Sequence, residues 1–301
     1  MGLSLLSISI VVSVGVLYAV FDLLRKKMTG SMPAAGILVW LALGQVPLFA
    51  LLVWRQESFA VGADYWAPGL VSILLNIVAN LAFLRALEIA SLGVTIPLLS
   101  LTPAFATLLS IRVLGQLPTP IQMVGILLAV AGAFALNFDP GEGATPRGVW
   151  RSLVREKGSL LMIGVALCWS ITPAYDALAV EASGIYTHGL LLNAGVGVGA
   201  LLWLLVRGQP LFGQSGALRP KLRKRETTLW VVLAAVVGFL ALVLLLMAYS
   251  TVWIGFVETV RRAVNSGLAL LFGYWLFAEE VRKAQIVAVA LMTVGVALLF
   301  F

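Results

Sequence analysis

Four polar side chains recur along an otherwise apolar stretch that runs from Val257 to Leu271. Placed at positions i, i+3, i+4 and i+7, they are Glu258, Arg261, Arg262 and Asn265. This spacing predicts one polar face on a helix whose other faces are apolar, and we call the four residues the polar stripe. An arginine facing lipid near the membrane centre costs about 2.5–3.5 kcal/mol, so the stripe should face protein or a watery cavity. It is then either a buried ion pair between helices or the lining of a solute site.

Glu258 can neutralise one of the two arginines of the stripe. It precedes Arg262 by one helical turn, in the favourable acid-first order, so the sequence predicts a local Glu258–Arg262 pair. The second positive charge is left without a helical partner. Because a carboxylate or phosphate pairs bidentately with a guanidinium, this charge favours an anionic or zwitterionic solute. Amino acids, organic acids and phosphorylated metabolites meet that description.

Two further acids lie near the ends of apolar runs. Asp22 has Arg25 and Lys26 within one turn, so a structural ion pair is a full alternative to a functional role. Asp176 has no basic neighbour within a turn, which favours a place opposite the arginines of the stripe. Pro173 lies one turn upstream of Asp176 and should loosen that helix. Either acid, like Glu258, could carry a proton.

Amide side chains within the apolar runs form a second group of candidates. Asn76 and Asn80 are one helical turn apart, and Asn193 lies in a later run. Such amides either bond to a neighbouring helix or face a cavity, and the sequence leaves both open. His188, the only histidine, lies near a predicted helix start, which favours an interfacial position over a proton relay.

The composition is that of an integral membrane protein. Of the 301 residues 61% are hydrophobic and 11% charged, and the mean hydropathy is +1.05. The apolar runs are continuous instead of alternating, which favours a helical bundle over an outer-membrane barrel. Ten runs have about the 17–25 residues that a spanning helix needs. They are Leu3–Leu24, Pro33–Val53, Tyr65–Leu87, Leu92–Val113, Ile121–Phe138, Leu160–Val180, Ile185–Val206, Leu229–Ser250, Ile254–Phe277 and Gln285–Phe301.

Several classes of protein fit the sequence poorly. The single cysteine, Cys168, excludes a disulfide within the chain and disfavours a thiol metal site. No metalloprotease, nucleophile-elbow or phosphate-loop motif is present, so we predict no catalytic residue, metal ligand or cofactor. The net charge of +7 resides in short loops, which the positive-inside bias explains better than nucleic-acid binding does. The expected partners are a small-molecule solute and the lipid bilayer, with a homodimer left open.

The chain divides into two similar halves of five runs each. Residues 1–138 and 159–301 are joined by the polar segment 139–158. Gln122 and Gln285 have the same separation as Gly132 and Gly295, and this separation also pairs Thr102 with Asn265 of the stripe. A repeat with an odd number of spans enters the membrane from the opposite side, so the sequence predicts inverted repeats, an architecture common in secondary transporters.

Paired segments in the two halves, each an apolar helix end, a short turn, a glutamine and another apolar helix, resemble the repeats of EamA-type proteins of the drug/metabolite transporter superfamily. The acid usual in that turn is Gln116 in the first half and Glu279 in the second. The resemblance implies a ten-helix carrier with a central site formed by the first four helices of each half and with peripheral fifth and tenth helices. Arg261 and Arg262 also resemble the basic pair of the sugar-phosphate and nucleotide-sugar branch.

Basic residues predict the orientation of the chain in the cell (inner) membrane. Arg261 and Arg262 lie within a run, Arg55 and Arg112 lie in or beside even-numbered connections, and the remaining lysines and arginines belong to odd-numbered ones. The positive-inside rule therefore places the odd connections in the cytoplasm and both chain ends outside. The resemblance implies the opposite orientation, with both ends in the cytoplasm.

The sequence favours a multi-pass carrier that works by alternating access. Thr102 joins the candidate substrate-binding residues because the repeat places it opposite the stripe. The closest alternative is a flippase for a lipid-linked or amphipathic substrate, which would share the fold and a basic cavity. An intramembrane enzyme is a weaker alternative, since one histidine and one cysteine supply few groups for acid–base or nucleophilic work.

Overall fold

The computed structural model describes residues 4–28, 32–56, 61–89, 96–137, 157–208, 211, 224–277 and 283–301. These residues form ten α-helices, and each overlaps one of the ten predicted apolar runs, which confirms the all-helical fold class. The helices are α1 (Leu5–Met28), α2 (Ala34–Trp54), α3 (Trp66–Ile89), α4 (Thr102–Leu114), α5 (Pro120–Asn137), α6 (Lys157–Ser183), α7 (Ile185–Arg207), α8 (Lys224–Thr251), α9 (Ile254–Phe277) and α10 (Lys283–Leu298).

Within the described part of the chain, six segments are long and apolar enough to cross a membrane. They lie in α1, α2, α3, α6, α7 and α8 and are Leu5–Arg25, Ala35–Trp54, Ala63–Phe83, Leu160–Ser183, Ile185–Arg207 and Thr228–Thr251. Three shorter apolar segments lie in α4, α5 and α10 and are Leu99–Leu114, Pro120–Ala135 and Gln285–Leu298. The remaining helix, α9, has the length of a span but carries the charges of the polar stripe.

The fourth predicted run is not one continuous α-helix. A 3₁₀ segment, Ile96–Leu101, leads into α4, and Pro103 lies within the first turn of that helix. Proline has no N–H to donate, so it fits the first turn of a helix and not its interior. The irregular fourth helix expected from its prolines is therefore present. In α6, Pro173 does stand inside the helix, where it removes one backbone hydrogen bond.

Successive helices run in opposite directions, as the largest apolar cluster shows. It brings together Ile8 at the start of α1, Leu114 at the end of α4, Ile185 at the start of α7, Ile254 at the start of α9 and Leu299 just after α10. These positions belong together only if the helices alternate in direction. The even-numbered connections therefore lie at one end of the bundle, which we call the even end.

The opposite end, here called the odd end, has apolar clusters of its own. One of them packs Met28 at the end of α1 with Ile37 near the start of α2 and Trp230 near the start of α8. Another packs Ala86 near the end of α3 with Met162 near the start of α6. The polar stripe begins near the even end, because α9 starts there.

The two glycines that mark the repeat lie in one helix crossing. A Cβ on Gly132 of α5 would lie 2.6 Å from the carbonyl oxygen of Ala288 in α10. A Cβ on Gly295 of α10 would lie 2.5 Å from the backbone nitrogen of Ala129 in α5. Since no side chain fits between these backbones, glycine is required where α5 and α10 meet.

Gly195 and Gly199, which the sequence assigns to tight packing, have that role between α7 and α3. A Cβ on Gly195 would lie 2.7 Å from Cγ2 of Ile73, and one on Gly199 would overlap the side chain of Ile77. The isoleucine side chains of α3 therefore occupy the space that the glycines of α7 leave, and the small-xxx-small prediction is confirmed.

Candidate functional site

Glu258 pairs with Arg261 and not with Arg262, so the predicted i+4 pair is wrong. Arg261 Nη2 lies 2.5 Å from Oε2 of Glu258, whose other oxygen accepts a hydrogen bond of 2.6 Å from the Tyr249 hydroxyl. The guanidinium of Arg261 also lies 5.0 Å from the ring centre of Tyr18. Tyr18 and Tyr249 belong to α1 and α8, so tertiary contacts, which the spacing along α9 does not show, select Arg261.

Arg262 faces a different part of the bundle. It borders a narrow gap whose other walls come from the segment before α4, from α4 itself and from α5, including Ser100, Pro103 and Ala129. Its Nε atom, like that of Arg261, is buried and has no hydrogen-bond partner among the described residues. With Glu258 bound to Arg261, the second arginine supplies the excess positive charge of the stripe. A buried guanidinium nitrogen without an acceptor is costly, and an anion would relieve that cost.

The stripe continues onto α1 through Asn265. Its Nδ2 donates a hydrogen bond of 3.1 Å to Oδ2 of Asp22. The other carboxylate oxygen of Asp22 lies 3.5 Å from Nη1 of Arg25. The ion pair expected for Asp22 is therefore present, and the same carboxylate also links α1 to the stripe.

A cavity of about 110 Å³ lies next to this link, between α1, α2 and α3. Arg25 forms part of its wall and lies 5.4 Å from the ring centre of Phe21 and 5.5 Å from that of Phe83. Asn80, a predicted site residue, and Gln45 also line the cavity. Gln45 is not among the residues predicted from the sequence; its signal there is an amide within an apolar run.

The three asparagine side chains predicted as site residues donate hydrogen bonds to backbone carbonyl oxygens of their own helices. Asn76 Nδ2 lies 3.1 Å from the carbonyl oxygen of Ser72, and Asn80 Nδ2 lies 2.8 Å from that of Asn76. Asn193 Nδ2 lies 2.9 Å from the carbonyl oxygen of Gly189. These bonds satisfy the costly donors locally, a solution that differs from the bond to a neighbouring helix considered from the sequence.

Thr102 is fully buried at the start of α4, beside the irregular segment. Its carbonyl oxygen accepts a hydrogen bond of 3.3 Å from the hydroxyl of Ser170 in α6. Its own Oγ1 has no hydrogen-bond partner among the described residues. The polar residue that the repeat places opposite Asn265 is thus a contact between the two halves of the chain.

Asp176 was expected opposite the arginines, and its hydrogen bonds lead elsewhere. Its Oδ1 accepts hydrogen bonds from the Ser72 hydroxyl and from Nε2 of His188, the latter at 3.1 Å. Nδ1 of the same histidine lies 3.3 Å from the Tyr65 hydroxyl. His188, for which the sequence favours an interfacial position, is 0% exposed, and Tyr65 is 1% exposed. Packing of α7 against the segment before α3 buries the two rings.

Gln116, the position where the resemblance leads one to expect an acid, holds the first turn of α9. Its Oε1 accepts a hydrogen bond of 2.9 Å from the backbone N–H of Ile254. A helix leaves its first N–H groups without partners, so this side chain from the α4–α5 connection acts as a cap for the helix that carries the stripe. A neutral amide oxygen is sufficient for that role.

An antiparallel bundle of long apolar helices is the architecture of a multi-pass membrane protein. The model of the EamA-like transporter family matches residues 5–138 and 156–301. The chain belongs to this family, which confirms the resemblance found in the sequence. It is therefore a multi-pass membrane protein of a transporter family, and the family implies a small-molecule solute.

Two individual comparisons agree with this assignment. The chain is 25% identical to Protein LicB of Haemophilus influenzae over 205 residues, which are 64% of this chain and 66% of LicB. A solved crystal structure aligns with a TM-score of 0.75 and 18% identity, covering 97% of this chain and 96% of the other. At that identity the second likeness shows the fold alone.

Proposed function

We propose that the protein is a secondary transporter that moves a small anionic or zwitterionic metabolite across the cell membrane by alternating access. The observation that carries the proposal is the excess positive charge of the polar stripe. Glu258 is bound to Arg261, while Arg262 makes no ion pair among the described residues; the Nε atoms of both arginines are buried there without a hydrogen-bond partner. A carboxylate or phosphate of the solute would supply the missing acceptor.

The roles of the predicted site residues follow from their contacts. Arg262 is the proposed anion ligand, and Arg261 with Glu258 positions it by holding α9 against α1 and α8. Asn265 and Asn80 border the route between the stripe and the cavity beside Arg25. The proposed solute region also includes four residues with local or inter-half bonds, namely Asn76, Asn193, Thr102 and Asp176.

All ten helices are proposed to cross the membrane as two inverted five-helix repeats. The alternation of helix direction supports this, because it gathers the even-numbered connections at one end. The crossing of α5 and α10 supports the pairing of the halves, since the repeat-related Gly132 and Gly295 each pack against the backbone of the opposite helix there. Repeats of this kind rock about a site near the membrane midplane.

Transport is testable with purified protein in liposomes and a panel of amino acids, organic acids and phosphorylated metabolites. We expect uptake or exchange of at least one such solute, with lipophilic cations not transported. A simultaneous change of Arg261→Gln and Arg262→Gln should abolish that transport, while Arg55→Gln, at an exposed arginine, serves as the matched control. Full transport by the double variant would overturn the assigned role of the stripe. Movement of fluorescent lipids alone would favour the flippase alternative.

A further inference from the structure

A second buried polar cluster joins the two halves of the chain. It consists of the side chains of Tyr65, Ser72, Asp176 and His188, and we call it the histidine cluster. Tyr65 lies just before α3, and Ser72 lies on it; both belong to the first segment that matches the family. Asp176 on α6 and His188 on α7 belong to the second matching segment. The bonds Ser72–Asp176 and Tyr65–His188 join the two halves of the chain. The bond His188–Asp176 joins α7 to α6.

The hydrogen bonds of the cluster fit a carboxylate at Asp176 beside a neutral His188. Ser72 can only donate to the carboxylate, and a neutral His188 with its proton on Nε2 also donates to Asp176. Nδ1 then has a free lone pair, which accepts the proton of the Tyr65 hydroxyl. In this state every partner is satisfied, and the cluster carries the single negative charge of Asp176.

The same geometry holds one more proton without losing a hydrogen bond. A proton added to Nδ1 of His188 forms one N–H bond and breaks none. The Tyr65 hydroxyl keeps its own proton, rotates about its C–O bond and becomes the acceptor. The cluster then contains an imidazolium and a carboxylate, so its net charge changes from negative to neutral. Burial favours neutrality, since an uncompensated charge is costly in an apolar interior.

We propose that the histidine cluster is a proton-binding site that couples proton movement to the movement of the solute. Proton binding replaces a buried charge between the halves with a neutral ion pair, and so changes the strength of the contacts that tie α3 to α6 and α7. Pro173 lies one turn before Asp176 and cannot donate a backbone hydrogen bond to the carbonyl of Trp169, which allows α6 to bend in response. The coupling step rests on the proposed function, but the proton site itself does not.

The groups on the neighbouring helices bring no further charge to the cluster. The nearest titratable groups on α1 and α8 are Tyr18 and Tyr249, neutral phenols that contact Arg261 and Glu258 of the polar stripe. From α2, Phe49 packs at Gly189, one residue after His188, and brings no charge. Asn76 on α3 donates to Ser72 and is neutral. The charge that changes on proton binding therefore lies on His188, beside Asp176.

His188 is the only histidine of the chain, so its protonation can be followed without resonance assignment. Protein labelled with ¹³C,¹⁵N-histidine, purified with a histidine-free tag and placed in lipid nanodiscs, is titrated by NMR from pH 5 to 9. We expect one titration of the imidazole, with the Nε2–H tautomer at high pH. In Asp176→Asn the pH dependence of the imidazole resonances should change, because the imidazolium loses its counter-charge.

Glu181→Gln is the matched control, since it removes an exposed acid from the same helix and should leave the titration unchanged. An imidazole whose resonances do not change over this pH range would overturn the proton site. The proton site would also be overturned if Asp176→Asn and wild type gave the same titration curve. That result would show that the carboxylate does not stabilise the added proton.

Coupling is then measured in liposomes with a pH gradient of either direction and the transported solute of the panel. Wild-type protein should accumulate the solute in one of the two gradients. His188→Gln should lose this accumulation and retain downhill flux. Tyr65→Phe should reduce the accumulation, and it replaces His188→Gln as the test if that variant cannot be purified. Accumulation equal to wild type in these variants would overturn coupling. Absence of any flux in wild type would contradict the proposed function and leave the NMR result standing.

Discussion

The polar stripe and the histidine cluster are two buried charge groups of opposite sign. The stripe has one carboxylate for two guanidiniums, all three on α9. The histidine cluster has one carboxylate and a histidine, assembled from α3, α6, α7 and the segment before α3. An excess positive charge suits an anionic solute, and an excess negative charge beside a histidine suits a proton. The same chain therefore separates its two proposed binding tasks by the sign of the uncompensated charge.

Accessibility separates the two groups in the same way. Arg262, the proposed anion ligand, is partly exposed, whereas the side chain of His188 is 0% exposed and that of Asp176 is 8% exposed. A solute needs a surface that it can reach, while a proton can pass along hydrogen-bonded groups into a closed site. The comparison leads to four predictions, beginning with the largest expected effect.

Glu258→Gln should destabilise the protein most, because it leaves Arg261 as a buried cation without its counter-charge. Removing one partner of a buried pair costs about 3–5 kcal/mol, and the partial exposure of Arg261 places the expected loss near the lower limit. Thermal unfolding in detergent measures the loss, and Glu258→Gln combined with Arg261→Gln should recover part of it. A single variant as stable as wild type would show that the pair is not structural.

Arg262→Gln should weaken solute binding more than Arg261→Gln does. A charge-assisted hydrogen bond contributes about 1.5–3 kcal/mol, so the apparent affinity should fall roughly ten- to a hundred-fold in the first variant. Arg261→Gln should act mainly on stability, since Glu258 already holds its guanidinium. Binding is compared by solute-induced thermal shift at several solute concentrations. A larger loss of affinity in Arg261→Gln would reverse the assignment of the two arginines.

Gln116→Ala should lower stability by about 1 kcal/mol, because the first turn of α9 loses its side-chain acceptor. Gln116→Glu keeps an acceptor at this helix start and should preserve or raise stability. The two variants are compared by thermal unfolding under identical detergent conditions. Equal stability of Gln116→Ala and wild type would show that water replaces the cap.

The fourth prediction concerns which side of the membrane each end of the bundle faces, and its variants leave the polar stripe and the histidine cluster unchanged. In a Cys168→Ser background, Arg55→Cys at the even end should react with impermeant thiol reagents in intact cells. Arg207→Cys at the odd end should react only after the membrane is permeabilised. The reverse pattern would establish the orientation that the resemblance implies, with both chain ends in the cytoplasm.

The helices and the polar stripe were predictable because both depend on residues that are close together in the sequence. Continuous apolar runs indicated ten helices, because hydropathy averaged over one helix length depends only on neighbours in sequence. The i, i+3, i+4 and i+7 spacing placed the stripe on one face for the same reason. The family resemblance followed from short segments repeated at a constant separation, as at Gly132 and Gly295.

Tertiary structure decided which of these groups meet. Spacing along α9 allows Glu258 to reach either arginine, and only Tyr18 and Tyr249, from other helices, select Arg261. His188 near a helix start has the sequence signature of an interface residue, yet packing of α7 against Tyr65 buries it beside Asp176. Helical periodicity reports which face a side chain occupies. Which neighbour covers that face depends on contacts between residues far apart in sequence, and these exist only in the folded chain.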